Sequence, residues 1–142
     1  MTDHRTEMKK ALKEIFVPAL RERGFKGSLP HFYRSTSTRA DFLTIQFNSS
    51  GGSFVVEIAG SDPSGIEGGY GCDLPINKLN THFFRDRQRL GAKPESSDHW
   101  FLYGPRMYDP PEAVRPYAHY TKIAGSLLPL LDSQAETWWS AR

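Results

Sequence analysis

The sequence predicts an α+β domain: an antiparallel sheet of four or five strands with an N-terminal and a C-terminal helix packed on it. Three observations carry this. Apolar residues recur with helical spacing over residues 8–20 and again over 117–131. Between them, two apolar runs alternate with period two and are joined by a short glycine-rich turn, the pattern of a hairpin. A length of 142 residues suits one domain, read as a globular body over 1–134 followed by a short aromatic tail over 135–142.

The first helix rests on Met8, Leu12, Ile15 and Ala19, flanked by Ala11, Phe16 and Leu20, with Lys9, Lys10, Lys13 and Glu14 largely outside the stripe. Pro18 predicts a kink or restart inside it. Gly24 suits a left-handed ending, after which Phe25 can fold back on Leu20. Three strands follow: His31 to Ser37, Asp41 to Asn48 and Phe54 to Ala59. Leu43, Ile45 and Phe47 share one face of the second, and Phe54, Val56 and Ile58 one face of the third. Residues 60–80 are irregular and glycine-rich, and a loop of that length in a compact domain is either functional or poorly ordered. His82 to Leu90 reads as a strand that sets Arg85, Arg87 and Arg89 on one face, with a helix capped at Asn80 or Thr81 and ended by Gly91 as the alternative. Asp98 to Tyr103 is a further short strand. Asp109-Pro110-Pro111-Glu112 has the form of a capped helix start. Pro116 separates that turn from the stripe Tyr117, Tyr120, Ala124, Leu127, Leu128 and Leu131, and Pro129 marks a bend or an end.

Composition narrows the function classes. The chain is 38% hydrophobic and 24% charged, ordinary for a folded soluble domain. It has no apolar run long enough to span a membrane. Its opening, MTDHRTEMKK, lacks the apolar stretch of a secretory leader. The lone cysteine, Cys72, excludes an internal disulfide, and a cytoplasmic location is expected. Net charge is +2, and a pI of 8.7 is too modest for a general nucleic-acid binder. The charge is unevenly spread: Asp41, Glu57, Asp62, Glu67 and Asp73 occupy residues 40–77 without a lysine or arginine, whereas Arg85, Arg87, Arg89 and Lys93 face only Asp86 in their segment.

Several phrases resemble one family. They are Arg23-Gly24-Phe25-Lys26 closing the first helix, Phe32-Tyr33-Arg34, Ile45-Gln46-Phe47-Asn48-Ser49, Phe54-Val55-Val56-Glu57-Ile58, and Arg87-Gln88-Arg89-Leu90-Gly91 followed by Asp98-His99-Trp100-Phe101. In this order they resemble the bacterial domain-of-unknown-function family 4304. The resemblance implies the fold and carries no established activity. The glycine-rich insertion between residues 60 and 73 departs from the family pattern.

The candidate chemistry is sparse. The glycine-rich loop could cradle phosphate, but no Gly-Lys-Ser/Thr occurs and no clear helix follows it. Cys72 with His82 or His99 lacks the flanking sequence of a thiol nucleophile. His4, His31, His82, His99 and His119 show no metal-ligand spacing, so neither a metal nor a cofactor is expected. Arg85, Arg87 and Arg89 stand out, because three guanidinium groups on one face repel each other unless acids or an anionic ligand lie opposite. The competing explanation is pairing with Asp41, Glu57 or Asp98. Trp100 joins the arginines as a candidate ligand contact. Adjacent Trp138 and Trp139 are hard to bury together, so docking onto the domain competes with contact to a protein partner or a second copy. The expected function is therefore a small binding or interaction module that recognises an anionic ligand or an acidic protein surface through the arginine row. No catalytic residue is assigned. An enzyme acting on an anionic small molecule at the glycine-rich loop is the alternative.

Overall fold

A computed structural model describes residues 3–65, 74–93, 95, 96 and 98–141. The chain opens with α1 (His4–Ala11), a π-type turn (Leu12–Phe16) and α2 (Val17–Glu22), which form one unbroken helical run. Asp3 caps it by accepting the Thr6 N–H at 2.7 Å. Pro18 does not interrupt the run. The Val17 N–H reaches back five residues to the Leu12 carbonyl, and that wider turn accommodates a residue with no N–H of its own. The end is as expected: Phe25 N–H bonds to the Leu20 carbonyl, Gly24 N–H to that of Arg21, and Gly24 has φ +89°.

Among the described residues the sheet has six antiparallel strands: β1 (Lys26–Ser28), β2 (His31–Ser35), β3 (Ala40–Phe47), β4 (Ser53–Ser61), β5 (Gln88–Arg89) and β6 (Phe101–Leu102). Their order is β1-β2-β3-β4-β5, and β6 pairs with the opposite end of β4. Helices cover one face. Met8, Leu12, Phe16 and Leu20 pack there with Leu43, Ile45, Phe54, Val56 and Ile58, the positions given by the two periodicities. Tyr120, Leu127, Leu131 and Trp139 complete this core.

Three expectations near the C-terminus change. Residues 109–116 are not helical. Asp109 instead closes a turn by accepting the Arg106 N–H at 2.9 Å, and α3 (Tyr117–Leu130) begins only after Pro116. Pro129 does not end the helix, which continues through a second π-type turn (Leu131–Ala135) into α4 (Glu136–Ser140). The aromatic tail is therefore not separate from the body. Trp139 is 1% exposed and donates its indole N–H to the Ala59 carbonyl at 2.9 Å. Of the two readings for the tryptophans, docking onto the domain is the one seen at Trp139, and Trp138 lies half-buried against the same core.

The second face of the sheet is also covered, over one half. Residues 74–84 cross it with two 3₁₀ turns (Ile76–Lys78 and Thr81–Phe83). Leu79 joins Phe42 and Ala59 in a second cluster, and Phe84 stacks on Phe42 with ring centroids 5.2 Å apart. On the helix face, in line with Leu43 along β3, Asp41 is fully buried and accepts hydrogen bonds from Arg34 at 2.7 Å and Arg39 at 2.9 Å, while Arg34 also reaches Glu136 at 2.6 Å.

Candidate functional site

Beside the cluster around Phe42, the second face carries a polar row, in which Thr44 and Glu57 are buried. Strand register sets His31 opposite Thr44, Thr44 opposite Glu57, and Glu57 opposite Arg89. Side chains in register across antiparallel strands project to the same face, so four strands contribute one line of polar groups. His31 Nδ1 lies 2.9 Å from the Thr44 hydroxyl. The 3₁₀ turn at residues 81–83 sets the His82 ring edge-on to His31, 5.7 Å between centroids, with Nε2 4.0 Å from the Glu57 carboxylate. Burial, and secondarily the neighbouring His82, hold His31 below the usual histidine range.

The arginines complete the site, though not on a single strand. Asn80 caps the Thr81–Phe83 turn by accepting the His82 N–H, and the chain bends at residues 85 and 86. Only Gln88–Arg89 pairs with β4. Phe83 and Phe84 pack with the second cluster, which draws this stretch out of extended pairing. Neither the long strand nor the long helix forms, and the three heads are not set at regular strand spacing. They nonetheless line one cavity of about 490 Å³, together with Glu57, Asp98 and Trp100. Arg89 pairs with Asp98 and lies over the Trp100 ring at 5.2 Å. Arg87 stands 3.6 Å from Glu57. Arg85 has no ion-pair partner among the described residues. Pairing therefore accounts for part of the row. Glu57 and Asp98 take up two of the arginines, while Asp41 is spent on Arg34 and Arg39.

The other candidates separate from this cavity. His4 bonds to the Tyr120 hydroxyl and His119 to the Tyr103 carbonyl, each at 2.9 Å, and His99 packs edge-on against Phe101. Among the described residues no group of three or more His, Cys, Asp or Glu is arranged to hold a metal ion. Cys72 lies outside the described residues, as do the glycines at 68, 69 and 71 of the loop on which the enzyme alternative rests. No described helix is long and apolar enough to cross a membrane.

The sequence reading found the arginines and Trp100 but missed Glu57, His31 and His82 as a group. A signal is present, since Glu57 is a charged position inside the otherwise apolar run Phe54 to Ala59.

An antiparallel sheet with helices on one face and an arginine-lined cavity on the other defines a small α+β protein. The chain belongs to the family described as Domain of unknown function (DUF4304), whose model matches residues 16–106. That match spans all six strands and every residue lining the arginine cavity. No curated protein and no solved structure matches the chain.

Proposed function

We propose that this chain is a cytoplasmic binding module that takes an anionic small molecule in the cavity formed by Arg85, Arg87, Arg89 and Trp100. The observation that carries this is the convergence of three guanidinium groups on one concavity where only two acids balance them, leaving Arg85 without an acidic partner among the described residues. Guanidinium forks match the oxygens of phosphate and carboxylate. The volume of about 490 Å³ is that of an ordinary small-molecule pocket. This concavity favours a small anion over an extended acidic protein surface, which would need a broader contact.

The test is thermal unfolding of the full chain at low salt against inorganic phosphate, n-propyl phosphate, glycerol 3-phosphate and citrate. A bound ligand raises the melting temperature with concentration, and for this site the rise shrinks as ionic strength increases. A melting temperature unmoved by all four anions contradicts the reading.

A further inference from the structure

Among the described residues two carboxylates are buried on the sheet, and they are treated differently. Asp41, 0% exposed, accepts two charge-assisted hydrogen bonds, from Arg34 at 2.7 Å and Arg39 at 2.9 Å. Glu57, 6% exposed, has among the described residues only the Arg87 guanidinium at 3.6 Å and the His82 ring at 4.0 Å. Both separations exceed hydrogen-bond length. No protein donor among the described residues closes on the Glu57 oxygens, although a carboxylate offers about four acceptor positions. Glu57 nevertheless lines the arginine cavity. A carboxylate on the wall of an anion site weakens the binding of any plain anion by repulsion. Its presence there is productive only if the ligand brings a donor to meet it.

We infer that Glu57 reads a hydroxyl or amine carried beside the ligand's anionic group, so that the cavity selects α-hydroxy or α-amino carboxylates and phosphate esters with a neighbouring hydroxyl over plain anions. This rests on the anion-binding reading above. The spacing follows from the 3.6 Å gap between Arg87 and Glu57. A ligand oxygen about 2.8 Å from the guanidinium and a ligand donor about 2.8 Å from the carboxylate then sit side by side, separated by a few bonds of the same molecule. Arg85 is free to take further oxygens of the anionic group, and Trp100 with Arg89 walls the cavity.

The experiment compares two probes that differ only in their hydroxyls, glycerol 3-phosphate and n-propyl phosphate, by calorimetric titration of the full chain and of Glu57→Gln. A hydrogen bond to a charged group predicts that glycerol 3-phosphate binds the unmodified chain about tenfold tighter or more. In Glu57→Gln the preference shrinks several-fold, and n-propyl phosphate binds more tightly than before because the repelling charge is gone. Loss of a merely structural carboxylate would weaken both probes alike. Equal affinities in the unmodified chain overturn the inference and leave the anion-binding reading standing, and this comparison requires no variant to fold. A preference that persists undiminished in Glu57→Gln also overturns it. If neither probe binds, the anion-binding reading fails, and the inference fails with it.

Discussion

The indole N–H of Trp139 donates to the Ala59 carbonyl at 2.9 Å, joining the last helical turn to the central strand β4 across 80 residues of sequence. Phe25 packs on the same ring at 5.4 Å and the Arg34 guanidinium lies over it at 5.0 Å. The C-terminal residues are thus part of the core. Trp139→Ala removes a large buried aromatic and is expected to cost about 3–5 kcal/mol. Trp139→Phe keeps most of the packing but strands the carbonyl, at about 1–2 kcal/mol. Urea unfolding of the two variants checks both the sign and the order. A Trp139→Ala midpoint equal to that of the unmodified chain would contradict the docked arrangement.

Asp41 sits buried between Arg34 and Arg39, and Arg34 in turn holds Glu136 on α4. Replacing the carboxylate leaves two partly buried guanidinium groups short of an acceptor. Asp41→Asn is therefore expected to destabilise by about 3–5 kcal/mol, whereas Glu112→Gln, whose 3.5 Å contact with Arg115 is exposed, shifts stability by less than about 0.5 kcal/mol. Equilibrium denaturation of the pair separates a buried network from a surface one.

His31 supplies a pH dependence. It faces Thr44 on the sheet and His82 from the segment above, and burial followed by His82 repulsion lowers its pKa from 6.5. A histidine whose folded pKa lies below its unfolded value favours the folded state while neutral. Its contribution is whole above pH 6.5 and is lost as pH falls through the folded pKa. Melting temperature is expected to fall between pH 7 and pH 5, and His31→Gln to flatten that fall. An identical slope in the variant would show that His31 does not contribute.

Much of the fold could be read locally. Met8, Leu12 and Leu20 follow the helical period, Gly24 and Phe25 carry their own ending, and Leu43, Ile45, Val56 and Ile58 follow the strand period, because each signal lies within a few neighbouring residues. Helix continuation through Pro129 was not legible, since packing of Leu131, Ala135 and Trp139 onto the core outweighs the local cost of the proline. Nor was the cover of the second face by Leu79 and Phe84, or the pairing of Arg34 with Glu136, which depend on contacts across many residues. At the site, the arginine row is a local pattern and was visible. His31, Thr44, Glu57 and Arg89 form a line only once three strand registers are fixed, and a single sequence does not state those registers.

The central claim is that the arginine cavity binds an anion, and Arg85 tests it most directly because no acid in the described fold holds it. Arg85→Gln should leave the melting temperature of the free chain unchanged, as an exposed residue outside the packed core. Titration of glycerol 3-phosphate into the two proteins at low salt is the decisive measurement. The account predicts affinity about tenfold weaker in Arg85→Gln, the loss of one charge-assisted contact. Equal affinities in the two proteins, or no binding to either, would contradict it.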